Sequence, residues 1–264
     1  MRFFTFCSVV TLLLVLGSCQ RQESDPDVIV TLPPEFTVDL FEQRDTASGY
    51  PTFGLWVESL SACLCSNCGI SATVNTAPSS IAVKILGTSE PALCNGPAAS
   101  AKQFIPIGNL QNGIYAFSIA LGQTAVIVNK GTLHIQDGRY QLDMPEVQGI
   151  EIGNYLLHHI PDHYVWGYAA SKDSSLQAIN DFLRELKNQT EAPDLEPGFY
   201  GYFTVTGTGN LVLHKQLILP NFQTESFLRK LNTPVTGLRP LLKGYRNASQ
   251  GALRIRLLST EGEI

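Results

Sequence analysis

The chain has few charged residues and no second long apolar run, and these shortages exclude several classes of protein. Charged residues make up 16% of the 264 positions, and 23 acidic residues outnumber 18 basic ones, so the formal net charge is −5 at pH 7. Binding to nucleic acid or to anionic lipid head groups by charge needs the opposite excess. After residue 16, no stretch approaches the roughly 18 apolar residues of a transmembrane helix. The sequence therefore predicts no nucleic-acid partner and no membrane-spanning helix.

Motifs that carry common enzyme chemistry are also missing. The sequence contains no G-x-S-x-G nucleophile elbow, no glycine-rich phosphate loop, no dinucleotide fingerprint and no H-E-x-x-H zinc motif. Each of these motifs places a nucleophile, a phosphate-binding backbone or metal ligands at a fixed spacing, so its absence removes a class of mechanism. The sequence predicts no catalytic residues, no metal site and no cofactor.

The N-terminus carries the most specific signal. Arg2 precedes an apolar run from Phe3 to Leu16, which is too short to span a bilayer and suits the core of a signal peptide. Gly17 and Ser18 then lead into Cys19. This arrangement resembles the lipobox of bacterial lipoproteins. The resemblance implies that residues 1–18 are removed and that Cys19 carries a diacylglycerol and an acylated amino group. The alternative is a plain secretory signal cleaved near Ser18, with Cys19 in a disulfide.

Residues 19–34 form the expected lipidated tether. Residues 20–27, QRQESDPD, are polar, charged and proline-containing, which is typical of a flexible linker. The lipid anchor implies a membrane-attached protein of the cell envelope, facing the periplasm or the cell surface. Because Gln20 rather than an aspartate follows Cys19, the resemblance favours the outer membrane.

Four further cysteines lie in the body of the chain, at positions 63, 65, 68 and 94. In an exported protein an even number of cysteines predicts disulfides, here two. A tetrathiolate zinc or iron–sulfur site and free thiols are the alternatives. Cys63 and Cys65 are not expected to pair with each other, because alternate residues of an extended segment point to opposite faces.

Residues 35–145 have the pattern of an antiparallel β-sandwich, with short apolar-alternating segments separated by turn residues. The predicted strands are 35–42, 53–60, 70–75, 80–86, 101–107, 113–121, 124–136 and 139–144. Tyr115, which follows Gln111 and Asn112 at the start of a strand, resembles the tyrosine corner of immunoglobulin and fibronectin type III domains. That resemblance implies an immunoglobulin-like sandwich. Asp137-Gly138 predicts a type I′ hairpin turn.

Residues 146–161 are expected to form a connector with one strand, and residues 162–264 a small α+β domain. The predicted elements of this domain are a strand at 163–169, a helix at 173–187, a hairpin at 198–206 and 210–217, a helix at 223–232 and a strand at 252–258. The order β-α-β-β-α-β is that of a ferredoxin-like domain.

In such a domain one sheet face is covered by both helices and the other face is free. Alternation assigns Val165, Ala169, Phe203, Leu211 and Leu213 to the covered face. We define the predicted aromatic surface as the opposite set, a candidate binding site for a glycan or an envelope protein: Tyr164, Trp166, Tyr168, Tyr202, Arg254 and Arg256. The alternative is that this face packs on the β-sandwich.

The segment His158–His163 is the histidine-rich stretch of the chain. His159, Asp162 and His163 are residue types that bind a divalent metal or act as a general base. However, Pro161 prevents a helix that would bring them to one face. We expect a non-catalytic binding or scaffolding protein of the envelope; the alternative is an exported hydrolase or metal-dependent enzyme that uses this segment.

Overall fold

The structure is a computed structural model that describes residues 32–44, 51–122, 127–172, 176–214, 219, 221–249 and 251–264. The chain divides into two compact units, Met1–Leu32 and Pro33–Ile264. The signal segment 1–18, Cys19 and most of the tether lie outside the described residues. All described helices and strands lie in the second unit. Within the described residues no helix is both long and apolar enough to cross a membrane.

Ten strands build the first part of this unit. They are β1 (Phe36–Arg44), β2 (Pro51–Cys63), β3 (Gly69–Ala77), β4 (Ser80–Ser89), β5 (Ala99–Gly108), β6 (Gly113–Leu121), β7 (Ile127–Gln136), β8 (Arg139–Asp143), β9 (Ile150–Asn154) and β10 (Leu156–His158). The first eight coincide with the predicted strands, although residues 124–126 of the predicted seventh strand lie outside the described residues. Alternating apolar side chains were therefore a reliable signal here.

The ten strands form two sheets that share one core. Their orders are β5-β2-β1-β9 and β10-β8-β7-β6-β4-β3. Inward-facing residues of both sheets meet in a single buried cluster, for example Leu40 and Leu55 from one sheet and Ile85, Phe117 and Ile119 from the other. The predicted β-sandwich is confirmed.

Two local predictions in the sandwich are also confirmed. Asp137 and Gly138 both have positive φ angles, 51° and 75°, as a type I′ turn requires. The Tyr115 hydroxyl donates a hydrogen bond of 3.0 Å to the carbonyl oxygen of Gln111. This bond closes the loop before β6 in the manner of a tyrosine corner.

The segment 146–161 is not a simple connector. It contributes two strands, and each becomes the outer strand of one sandwich sheet: β9 pairs in parallel with β1, and β10 pairs in antiparallel fashion with β8. The prediction of a linker with one strand is corrected, because both short strands complete hydrogen-bond ladders that the eight earlier strands leave open.

The four cysteines form two disulfides, as predicted. Cys63 pairs with Cys68 and Cys65 pairs with Cys94, at Cα–Cα distances of 6.4 and 5.4 Å. Cys63 and Cys65 do not pair with each other, in agreement with the alternation argument.

The second part contains two helices and two further sheets. Its elements are β11 (Tyr164–Ser171), α1 (Gln177–Asn188), β12 (Thr190–Glu191), β13 (Gly198–Phe199), β14 (Phe203–Val205), β15 (Leu211–Leu213), β16 (Gln223–Leu231), a 3₁₀ turn (Val235–Leu238), α2 (Arg239–Ala248), β17 (Leu253–Ser259) and β18 (Gly262–Glu263). The main sheet has the order β12-β16-β11-β17-β18, and β13, β14 and β15 form a separate small sheet.

Two elements of the predicted βαββαβ order are wrong, and a ferredoxin-like domain is not confirmed. Residues 223–232, predicted as a helix, form strand β16, and the predicted hairpin at 198–217 does not join the main sheet. All pairings in the main sheet are antiparallel. The helix prediction failed because Phe227 and Leu228 are adjacent apolar residues that enter two different cores, which a short sequence pattern cannot distinguish from a helix face.

The helices cover one face of the main sheet. Ile179, Phe182 and Leu186 of α1 lie at helical spacing and pack with Val165 and Ala169 of β11. This confirms the predicted helix over its described residues. Between these side chains, a Cβ atom added at Gly167 would lie 1.9 Å from the carbonyl oxygen of Arg256, so glycine is required where β11 and β17 approach.

We predict that Tyr115→Phe lowers the free energy of unfolding by about 1 kcal/mol, because the Gln111 carbonyl loses its hydrogen-bond donor. The matched control is Tyr155→Phe, at a half-exposed tyrosine of the same sandwich, which we expect to change it by less than about 0.5 kcal/mol. Chemical denaturation of the two variants measures the difference. Equal effects would show that the corner bond does not stabilise the sandwich.

Candidate functional site

The three β11 rings of the predicted aromatic surface are buried. Tyr164, Trp166 and Tyr168 expose only 2%, 1% and 7% of their surface, although they do face away from the helices, as alternation predicted. The small sheet β13–β15 covers them. The Trp166 ring lies 5.2 Å from the Tyr202 ring and 5.6 Å from the Phe203 ring, measured between centroids.

Some residues that we predicted to lie beneath the helices belong instead to the small sheet that covers the β11 rings. Phe203, Leu211 and Leu213 were expected beneath the helices, but they pack against the aromatic cluster instead. Tyr202 also reaches the sandwich, with its ring 4.9 Å from that of Phe41 in β1. The aromatic side chains therefore form an internal contact, and the prediction of an open ligand platform is corrected.

The polar members of this surface are engaged with neighbours. Arg256 forms an ion pair of 3.2 Å with Glu263, and the Arg254 guanidinium lies 4.9 Å from the centre of the Phe222 ring. The Tyr164 hydroxyl donates a hydrogen bond to Asp194. Burial, together with this bond, raises the pKa of Tyr164 to about 12, so the hydroxyl stays protonated at neutral pH.

The histidine-rich segment does not assemble a catalytic or metal-binding set. The His158 ring packs 5.1 Å from the Tyr200 ring, and burial lowers the pKa of His158. His159 forms a hydrogen bond with Glu42, and Asp162 accepts one from Arg44. His163 is exposed and has a positive φ of 68°. Across the described part of the chain, no three His, Cys, Asp or Glu side chains are close enough to hold a metal ion.

A buried polar network lies beside that segment. The side chains of Glu42 and Arg44 are each 5% exposed and form an ion pair of 3.2 Å. Glu42 also accepts from the Tyr140 hydroxyl at 3.3 Å and lies 2.7 Å from Nδ1 of His159, while Arg44 donates to the Ile160 carbonyl at 2.6 Å. These bonds join β1 and β8 to the segment that leads into β11. The network is structural, since its groups bond to one another.

The structure reveals a groove that the sequence analysis missed. It has a volume of about 380 Å³ and follows the outer edge of β16. Helix α1 forms one wall with Leu183 and Leu186, and the β14–β15 hairpin forms the other with Val205 and Leu211. Pro193 and Leu195 close the end where β12 pairs with β16.

The floor of the groove is an unpaired strand edge. Among the described residues, β12 pairs with β16 only at Lys230 and Leu231, which leaves Gln223–Arg229 without a neighbour on that side. The backbone amide of Leu231 donates to the carbonyl oxygen of His163, which lies on the β11 side. Because hydrogen-bonding directions alternate along an antiparallel strand, the backbone groups of Thr224, Ser226 and Leu228 point outward.

The opposite edge of the same sheet is capped. The outward carbonyl oxygens of β17 accept from neighbouring groups: Leu253 from the Ser249 hydroxyl at 3.3 Å, Ile255 from Arg246 at 3.1 Å, and Leu257 from the backbone amide of Ile264 at 3.0 Å. Proteins usually protect sheet edges in such ways because an open edge is a template for another strand. The open edge of β16 is therefore a distinct feature of this sheet.

The charges beside the groove are basic. Lys187, in the last turn of α1, and Arg229 of β16 both line it. Arg229 donates to the Thr190 hydroxyl and carbonyl oxygens at 2.9 and 3.1 Å, and burial lowers the pKa of Arg229. An extended apolar segment with an acidic side chain matches this combination of open backbone, apolar walls and positive charge.

We predict that Glu42→Ala lowers the free energy of unfolding by roughly 3–5 kcal/mol, because it removes the buried carboxylate beside the Arg44 cation and leaves only the exposed Asp162. The matched control is Glu196→Ala, which removes the ion pair with Arg139, where both side chains are more than half exposed. That change should cost at most about 1 kcal/mol. Similar losses in the two variants, measured by denaturant titration, would contradict the assignment of Glu42 and Arg44 to a buried network.

Comparison with known proteins gives no relative from which a function could be transferred. No protein-family model, no curated protein and no solved structure matches this chain.

Proposed function

We propose that this chain is a lipid-anchored protein of the cell envelope with a non-catalytic binding role, and that the groove along β16 binds an extended segment of another envelope protein. The segment would add as a further strand to the main sheet, which is a common mode of peptide recognition. The observation that carries this proposal is the unpaired edge of β16 between two apolar walls.

The geometry favours a peptide over a glycan. The outward backbone groups of Thr224, Ser226 and Leu228 recur every second residue, or about every 7 Å, which is the repeat of a strand. The side chains of an added strand would alternate between the α1 wall and the hairpin wall. A glycan has no such repeat of donors and acceptors, and the aromatic rings on which it would stack are buried. Lys187 and Arg229 favour acidic residues in the bound segment.

The cellular location rests on the sequence of the N-terminus. Residues 16–19, LGSC, support a lipid anchor at Cys19, and the two disulfides of the body suit an oxidising compartment outside the cytosol. We propose the outer membrane as the site of attachment. The tyrosine corner at Tyr115 supports an immunoglobulin-like classification of the sandwich, which we likewise propose.

The anchor predicts a defined mass for the cell-derived chain. We expect a product that lacks residues 1–18 and carries a diacylglycerol and a further acyl chain at Cys19, because two or more chains are needed for durable attachment. Cys19→Ser should release the chain from the membrane fraction, whereas the control Cys7→Ser, within the leader, should not. An unmodified thiol at position 19 with Met1 retained would refute the anchor.

The groove predicts peptide binding that depends on one backbone amide. As the probe we use a fluorescein-labelled octapeptide that alternates valine and threonine and ends in two aspartates. We expect Ser226→Pro to weaken its binding at least about tenfold in fluorescence anisotropy, because proline removes the outward amide of residue 226. The fold should persist, since that amide does not pair with β11 and the Ser226 side chain is exposed.

Three controls separate strand addition from other modes of binding. Ser226→Ala keeps the amide and should bind like the wild type, while a probe N-methylated at alternate residues should not bind. Lys187→Glu should weaken binding of the aspartate probe but not of its asparagine analogue. The proposal fails if Ser226→Pro, with an unchanged melting temperature, binds as well as Ser226→Ala.

A further inference from the structure

Two loops at one end of the sandwich carry exposed leucines. Leu64 and Leu93 expose 74% and 75% of their surface, the highest values among the large apolar residues that the structure describes, and Leu60 exposes 47%. We call these three residues the leucine tip. The segments 60–68 and 90–98, which carry the tip, contain one charged residue, Glu90, and Glu35 lies beside Leu60.

The leucine tip is held rigidly. Leu64 and Leu93 each directly precede a cysteine of the Cys65–Cys94 disulfide, so their Cα atoms lie within about 13 Å of each other. Asn67 accepts from the backbone amide of Asn95 at 3.0 Å and donates to the carbonyl of Leu93 at 2.8 Å. Neighbouring exposed leucines on a cross-linked loop suit a contact surface.

The chain enters the sandwich beside this tip. The amide of Leu60 donates to the carbonyl of Glu35 at 2.9 Å, immediately before β1 begins at Phe36. Fifteen residues, 20–34, separate Cys19 from Glu35. Even when fully extended, fifteen residues reach about 50 Å. A lipid on Cys19 therefore limits how far this end of the sandwich can lie from the bilayer.

We propose that the leucine tip inserts into the interfacial region of the bilayer that holds the lipid anchor, so that the body is oriented on the membrane as well as tethered to it. This inference rests on the proposed anchor at Cys19. Apolar side chains on a surface of low charge partition into the head-group and acyl boundary, to a depth of about 5–10 Å. The opposite end of the sandwich then faces away from the membrane.

Tryptophan quenching tests the orientation in the mature, lipidated chain. Leu64→Trp, Leu93→Trp and the control Ile114→Trp are each incorporated into vesicles of phosphatidylethanolamine and phosphatidylglycerol, with or without brominated phosphatidylcholine. Ile114 is 64% exposed. It lies at the far end, because β6 runs parallel to β4, which ends near the tip. The emission of the wild type, which contains Trp56 and Trp166, is subtracted from that of each variant.

We expect the added emission at positions 64 and 93 to shift to the blue and to fall about twofold with brominated lipid, because bromine quenches only at close range within the interface. Emission at position 114 should not change. If the chain floats with the vesicles and positions 64 and 93 are quenched no more than 114, the leucine tip does not insert, although the anchor stands. If the chain does not float, the anchor and this inference both fail.

Discussion

The architecture of the second part depends on one strand that must be covered on both faces. All eight residues of β11 are buried. On one face, small residues let α1 approach closely, and on the other face Tyr164, Trp166 and Tyr168 present a large apolar area. A single layer of helices cannot cover both faces. The chain therefore uses residues 198–213 as a second cover. These residues stay outside the main sheet, and among the described residues no strand pairs with Gln223–Arg229 on the outer edge of β16.

The same cover joins the second part to the sandwich. Tyr202 contacts Trp166 on one side and Phe41 of β1 on the other, at 5.2 and 4.9 Å. Beside this contact, Arg44 of β1 bonds to the carbonyl of Ile160, just before β11 begins. Apolar packing supplies area but little directional preference, whereas a buried ion pair with further hydrogen bonds tolerates few arrangements. The Glu42–Arg44 network thus adds directional bonds beside the aromatic contact.

The sequence predicted the sandwich well because its strands alternate and its turns carry specific residues. Asp137-Gly138 and Tyr115 each have a local physical role that can be recognised without knowledge of the rest of the fold. The second part was harder to predict from the sequence. Phe227 and Leu228 are adjacent but pack into two different cores, and the strands in the segment 198–213 pair only with one another. Those choices depend on what covers β11, which is a long-range property. The groove was missed for the same reason: a strand edge has no signature in side-chain pattern.

The contrast between the two edges of the main sheet gives the binding proposal its physical basis. Both edges are partly shielded by two-residue strands, β12 and β18. Beyond β18, however, Ser249, Arg246 and Ile264 satisfy the outward carbonyls of β17 one after another, whereas the described residues beside β16 supply apolar walls and leave the backbone open. Unpaired backbone groups at a sheet edge bond to water, so they destabilise a protein little, but another chain can pair with them. In the proposed binding mode, the apolar walls on both sides of β16 admit only one added strand, and they favour a strand with apolar side chains. The walls therefore make the open edge selective for its partner.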